Sequence, residues 1–172
     1  FRRVLFRSNN SCGARSIRYG NTVHNVCAVD AIMANGERWH FAEVPADLAQ
    51  MHGNPDYRRL IERLRGIAAR EAGEIAARWP KLLRRVGGYN IDSIAASGHN
   101  MAHLLVGSEG TLAFFTAIEL ALQPLPAHKV LGICHFPTFY QAMDATRHIV
   151  KLEPAAVELV DRTMIEIGRA HV

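Results

Sequence analysis

Apolar residues along this chain follow two different periods, and the change of period marks its elements. Val26 to Met33 reads Val-Cys-Ala-Val-Asp-Ala-Ile-Met, a short and nearly unbroken apolar run that predicts a mostly buried strand. Asn35-Gly36 follows, a pair that accepts positive φ in a tight hairpin, and Arg38 to Phe41 predicts the return strand. Glu43 to Asn54 shows neither period and reads as a loop. Helical spacing then takes over. Tyr57, Leu60, Ile61, Leu64, Ile67, Ala68, Ala72, Ile75, Ala76 and Trp79 keep one face apolar for about six turns. Asn54 is placed to cap that helix, Pro55 to open it, Asp56 to meet its positive end and Pro80 to stop it.

Further along, Gly87-Gly88-Tyr89-Asn90 predicts a turn and Leu112 to Leu122 a strand rich in Phe, Thr and Ile. Pro124-Leu125-Pro126 is the strongest break in the chain. Beyond it, Val130 to Phe136 predicts a strand and Thr138 to Lys151 an amphipathic helix. Val157 to Val160 predicts another strand, turning into a helix at Asp161. The pattern is α+β, and the β-α-β order after the prolines predicts the start of a second domain.

Charge changes the picture only through the chain ends. Residues 3–8 can be encoded by CGT GTG CTC TTC CGA TCT, and residues 167–172 by ATC GGA AGA GCA CAC GTC. The two strings are reverse complements, shifted in frame, as a sequencing adaptor translated at both edges of a read would be. Residues 1–8 and 166–172 are therefore expected to be adaptor artefact, which makes the natural segment an internal piece of a longer protein. Those ends carry a net +3 of the chain's +4, so the remainder is near +1 and its balance gives no reason to invoke nucleic acid. Cys12, Cys27 and Cys134 are few and far apart, with no Cys-x-x-Cys, which argues for a reducing compartment and against a disulfide scaffold or zinc site. No apolar run approaches the ~20 residues that span a bilayer.

Two glycine-bearing stretches carry the candidate chemistry. One is Asn9-Asn10-Ser11-Cys12-Gly13, followed by Tyr19-Gly20-Asn21; the other is Gly107-Ser108-Glu109-Gly110-Thr111-Leu112. Glycine lets backbone turn sharply and approach a ligand, and successive N–H groups in such turns make a concave anion site. A dinucleotide cofactor with a pyrophosphate needs such donors, plus an apolar slot for its ring system. Taken alone, each stretch reads as an ordinary glycine turn; their order, beside strands, favours a binding site. Rossmann and P-loop glycine patterns are both absent.

The rest has plainer readings. Cys12 as a nucleophile or covalent cofactor link is set against a packed thiol. His99 and His103, four apart, have a metal-ligand spacing but lack an evident third ligand. His135 is in the predicted strand 130–136. The arginines of the long helix (Arg58, Arg59, Arg63, Arg65, Arg70 and Arg78) alternate with glutamates, as a solvated face does, and no aromatic residues interleave with them as stacking platforms would.

In detail, the chain resembles the FAD-linked oxidases, the flavoproteins that include D-lactate dehydrogenase, D-2-hydroxyglutarate dehydrogenase and the glycolate oxidase flavin subunit. The residues that carry the resemblance are Asn10-Ser11-Cys12-Gly13, Arg18-Tyr19-Gly20, Asn25-Val26, Asn35-Gly36, Gly88-Tyr89-Asn90 and Gly107 to Leu112. Cys12 stands where many members have Gly, and Ala113-Phe114 where Gly-Ile or Gly-Val is usual. The stretch 42–86 is longer than in compact members and looks like that of the large forms fused to an iron–sulfur segment.

The resemblance implies that residues 9–126 are the later part of a PCMH-type FAD-binding domain, a mixed sheet with flanking helices. Residues 127–165 are then the start of an α+β, ferredoxin-like substrate or cap domain. It implies FAD contacts at Asn10, Ser11, Cys12, Gly13, Tyr19, Gly20, Asn21 and Val26, and at Gly107, Glu109, Gly110, Thr111, Leu112, Ala113 and Phe114. It also implies oxidation of a small-molecule 2-hydroxy acid (D-lactate, D-2-hydroxyglutarate or glycolate), with electrons leaving to a quinone, a cytochrome or an iron–sulfur protein. The location implied is cytoplasmic, with peripheral association at the inner membrane left open. The catalytic base and carboxylate clamp are expected outside residues 9–165. The alternatives are a non-catalytic α+β binding or interaction domain contacting partners through the Arg-rich helix, and a different flavoenzyme reaction on the same fold.

Overall fold

The computed structural model describes residues 9–82 and 84–170. In chain order its elements are α1 (Ser16–Tyr19), β1 (Val26–Ile32), β2 (Arg38–Phe41), β3 (Glu43–Pro45), α2 (Pro55–Arg70), α3 (Ala72–Arg78), β4 (Gly98–Asn100), α4 (Ala102–Leu105), β5 (Phe114–Leu120), α5 (Phe139–Ile149) and α6 (Arg162–Ala170). Single 3-10 turns form at Thr22–Asn25, Leu48–Gln50, Ile91–Ser93 and Val150–Leu152. The chain divides into two units. One holds the residues up to Cys12 together with Gly20–Leu122; the other holds Gly13–Tyr19 together with the chain from Gln123 onward.

In the first unit, β1 is the centre of an antiparallel sheet in the order β2-β1-β5. The hairpin turns at Asn35-Gly36 as the sequence predicts: Gly36 has φ +85°, and its N–H donates to Met33 O at 2.9 Å. The register sets Val29 opposite Phe41 on one side and Ile118 on the other. Register shifts against β5 interrupt the alternation of β1, so Val26, Ala28, Val29 and Ala31 are all buried. This is why the strand reads as a continuous apolar run. The core collects Val29, Phe41, Val44, Ile61, Met101, Leu105, Val106 and Phe115 from sheet and helices. Tyr57 packs edge-on against Trp39 and Phe41, at ring-centroid distances of 5.7 and 5.2 Å. Burial pushes the Tyr57 hydroxyl pKa up, so it stays protonated.

The structure departs from the expected elements at several points. Every strand pairing among the described residues is antiparallel, where the resemblance implies a mixed sheet. The expected loop 43–54 contains β3, which pairs with β4 through Val44 opposite His99. Three residues are too few to show a period; the pairing forms because Gly98, at φ +120°, brings β4 against Val44 O, and Arg65 donates from α2 to Pro45 O and Ala46 O. The single long helix is broken at Glu71 into α2 and α3. Gly66 and Gly73 lower helix propensity on both sides of the break. Asn54 caps α2 as predicted, accepting from the Asp56 and Tyr57 N–H groups. Ile61 is fully buried there, while Ala72 and Ala76 on α3 are exposed.

In the second unit, α5 begins where the sequence predicts, with Thr138 accepting from the Gln141 N–H, and α6 follows Asp161, which accepts from the Met164 N–H at 2.7 Å. The expected strands at 130–136 and 157–160 are not formed, and His135 sits on exposed chain. A strand needs a neighbour for its backbone groups, and none pairs there among the described residues. Residues 1–8, one of the two expected artefact segments, lie outside the described residues, as do 171–172; α6 runs through the expected junction at Ile165.

Candidate cofactor site

The Asn10 loop is held mainly by its own side chains. Asn10 is buried, has φ +54°, and accepts the Val23 N–H on Oδ1 at 2.9 Å. Asn tolerates this left-handed backbone better than most residues. Ser11 O accepts the Thr22 N–H at 3.2 Å and the Thr22 hydroxyl at 2.7 Å. Asn21 starts the following 3-10 turn: its N–H donates to His24 Nδ1 at 2.9 Å, and its Nδ2 donates to Arg85 O at 3.3 Å. Gly20 has φ +69°, and a Cβ there would sit 2.5 Å from His24 Nδ1. Asn10 Oδ1 and Asn21 Nδ2 are thus committed to the chain itself, as are the Ser11, Asn21, Thr22 and Val23 N–H groups.

The second loop leaves α4 at Val106. Gly107 has φ +97°, and a Cβ on it would lie 2.8 Å from Gly88 O and 3.7 Å from Asn10 Cβ. This one position joins the Asn10 loop, the Gly88 turn and the Gly107 loop. The two glycines of the loop differ in kind. Gly107 is required by protein packing; Gly110, at φ +81°, has nothing within 4 Å of its Cβ position. Glu109, at φ +52°, and Gly110 form a turn with positive φ at both central residues, closed by the Thr111 N–H and hydroxyl donating to Ser108 O at 2.9 and 2.6 Å. Because the Thr111 hydroxyl donates there, it accepts from Tyr89 OH at 2.8 Å. Ser108 is buried, and its Oγ has no hydrogen-bond partner. The N–H groups of Glu109 and Gly110 have no acceptor among the described residues. Leu112 is half-buried, Ala113 is buried, and Phe114 opens β5 half-exposed.

Several other groups complete the surroundings. Asn90 is buried and donates from Nδ2 to His103 O and Val106 O at 2.9 and 2.7 Å, fixing the end of α4. Tyr89 and Asn90, read from the sequence as part of a turn and of the family resemblance, and Arg85, which the sequence reading did not single out, brace these loops. Val26 O faces His103 Nε2 at 3.3 Å, which ties β1 to α4. His99 lies in β4 and His103 in α4, so they do not share a helix face; His99 Nδ1 is bonded to Ala95 O at 2.9 Å. Burial lowers the pKa of both histidines. Cys12, half-buried, is a free thiol, as are Cys27 and Cys134. On the helix, Arg58, Arg59 and Arg78 pair with Glu62, Asp56 and Glu74, consistent with a solvated, charge-balanced face. Gly13 and Tyr19 belong to the other unit, where Tyr19 closes α1 with its N–H on Arg15 O at 3.0 Å and Arg18 lies over its ring.

A dinucleotide cofactor calls for unused backbone donors, space before them and a polar group awaiting a partner. The Gly107–Thr111 loop has all three: the N–H groups of Glu109 and Gly110, the open space before Gly110, and the orphaned Ser108 Oγ. These residues fit such a group. Recesses in this unit's surface lie elsewhere, at the start of α2 beside Met51, His52, Asn54 and Tyr57. Their lining also carries a positive-φ glycine, Gly53, and the buried Tyr57 hydroxyl, which is left unpaired like Ser108 Oγ, so the choice of the loop rests on the resemblance of Gly107 to Leu112 to the family pattern.

Known proteins match this chain along most of its length. Residues 125–172 match the family described as FAD linked oxidases, C-terminal domain. D-2-hydroxyglutarate dehydrogenase of Escherichia coli is 26% identical over 170 residues, 96% of this chain and 17% of the relative. D-lactate dehydrogenase of Archaeoglobus fulgidus is 38% identical over 162 residues, 94% of this chain and 26% of the relative. The mitochondrial D-lactate dehydrogenase [cytochrome] of Arabidopsis thaliana is 38% identical over 73 residues, 41% of this chain and 13% of the relative. The chain therefore spans about a quarter or less of the length of these relatives.

Proposed function

Since this chain belongs to the FAD-linked oxidase family, we propose that it is part of an FAD-dependent dehydrogenase that oxidises a D-2-hydroxy acid to the 2-oxo acid. The observation that carries this reading is the meeting of the Asn10 loop and the Gly107 loop at one packed point, with the Glu109 and Gly110 N–H groups left unused beside it. In this reading Asn10, Ser11, Cys12, Gly20, Asn21, Val26, Gly107 and Glu109 to Phe114 hold FAD; Gly13 and Tyr19 join them on the resemblance alone. Bound there, FAD supplies the acceptor for the hydride that leaves the substrate's Cα.

The chain's own residues bind and orient. Asn10 and Asn21 fix the first loop, so its backbone is already shaped before the cofactor arrives. Tyr89 and Thr111 fix the second. The base that takes the hydroxyl proton and the group that clamps the carboxylate belong to the rest of the protein. Residues 9–126 are read as flavin-domain sequence and residues 127–165 as the start of the C-terminal domain. The electrons pass on to a quinone, a cytochrome or an iron–sulfur centre. D-lactate, D-2-hydroxyglutarate and glycolate are the candidate substrates.

The test is anaerobic bleaching of the flavin in the whole protein, with each acid added in turn. One of the D-2-hydroxy acids should bleach it at a rate that saturates with concentration. A flavin that no 2-hydroxy acid reduces would overturn the assigned reaction.

A further inference from the structure

Loop 85–92 touches both halves of the proposed site. At its start, Arg85 O accepts from Asn21 Nδ2 at 3.3 Å. In its middle, Gly88 O packs against Gly107, where a Cβ would come within 2.8 Å. Next, Tyr89 OH donates to Thr111 Oγ1 at 2.8 Å, in the turn that carries Glu109 and Gly110. Last, Asn90 Nδ2 donates to His103 O and Val106 O, which sets where α4 releases the chain into Gly107.

Its own sequence gives this loop little rigidity. Gly87 and Gly88 are adjacent, Gly88 has φ +78°, and neither has a neighbour within 4 Å of its Cβ position. Adjacent glycines leave the open backbone many states to lose on ordering. Something else must hold the loop, and the side chains at its two ends do. Arg85 Nη2 donates to both carboxylate oxygens of Asp92, at 2.8 and 2.7 Å. The Arg85 guanidinium also lies over the Trp79 ring, 5.3 Å from its centroid. The side chains of this pair are 20% and 27% exposed, the least exposed ion pair among the described residues. A charge-assisted contact that is partly shielded from water and seated on an aromatic face holds its geometry better than an open surface pair.

We propose that the Arg85–Asp92 pair is a clasp that closes loop 85–92 and thereby preorganises both halves of the cofactor site. Arg85 and Asp92 are positioning residues: they act on FAD affinity through Asn21, Gly107 and Thr111 without touching the cofactor. The proposal rests on the site reading above, and two separate readouts keep the two apart.

The experiment compares wild type, Asp92→Asn, Arg85→Gln and the charge-swapped double variant Arg85→Asp/Asp92→Arg in the whole protein. Amide hydrogen exchange, in the FAD-free protein, of Ser93 and Ile94, whose N–H groups donate at 3.1 Å to Asn90 O and Ile91 O respectively, reports whether the end of the loop is closed. FAD titration by flavin fluorescence reports whether closure sets affinity. Each single variant should exchange faster at Ser93 and Ile94 and bind FAD about fivefold or more weakly. The swapped double should recover both to within about twofold of wild type. Unchanged exchange in the single variants overturns the clasp. Faster exchange with unchanged FAD affinity overturns its role in positioning. Wild-type protein that takes up no FAD overturns the site reading and this assignment with it, while the exchange result still tells whether the pair closes the loop.

Discussion

At the scale of single residues, the two glycines of one loop should fail in different ways. Gly107→Ala places a Cβ 2.8 Å from Gly88 O at a φ of +97°, so the damage falls on folding. The combined clash and backbone strain should cost about 2 kcal/mol or more, read by denaturant unfolding. Gly110→Ala meets open space, and its φ of +81° alone should cost about 1–2 kcal/mol. Its larger effect should be on FAD affinity. Equal unfolding losses in the two variants would contradict this division. His99 and His103 give the site region a pH dependence. Burial lowers both below the ordinary value of 6.5, while Arg65 and Glu43 act on His99 in opposite directions. Below about pH 6.5 the unfolded chain therefore binds protons that the folded chain refuses, and stability falls as pH falls. Unfolding midpoints measured from about pH 7 to about pH 5 should drop, and His99→Gln should flatten part of that drop. A midpoint independent of pH across that window would count against the buried placement of these rings.

At the scale of elements, the apolar stripe from Tyr57 to Trp79 is one pattern in the sequence and two environments in the structure. Ile61 on α2 is fully buried, so Ile61→Ala should cost roughly 2–5 kcal/mol. Ile75 on α3 is half-buried, and Ile75→Ala should cost under about 1 kcal/mol. Urea unfolding of both variants checks the contrast, and equal losses would mean that α3 is packed as tightly as α2. What was legible beforehand follows from range. The Asn35-Gly36 hairpin, the Asn54-Pro55 start of α2 and the Thr138 start of α5 are set by residues a few positions apart, and all three stand where the sequence puts them. The β3–β4 pairing joins residues far apart in the chain and is too short to leave a period. The candidate strands 130–136 and 157–160 have the right composition, but composition cannot supply a hydrogen-bonded neighbour. In the site, the glycine loops were legible as loops. Their bracing by Arg85, Tyr89 and Asn90 was not, because it depends on contacts between separate loops.

At the scale of the whole molecule, the chain holds one well-packed unit and a second with most of its apolar residues open. Leu131, Ile133, Tyr140 and Leu152 are all strongly exposed. The relatives are several times longer than this chain, which covers 17% and 26% of two of them. No helix among the described residues is long and apolar enough to cross a membrane. The Gly107–Thr111 loop is proposed to bind FAD, and titration of the whole protein, freed of flavin, with FAD tests this most directly. Wild type should regain a saturating flavin signal. Gly110→Val should bind at least about tenfold more weakly, because the branched side chain fills the space left open before that backbone. Identical binding curves for wild type and Gly110→Val, at equal folded fractions, would contradict the account.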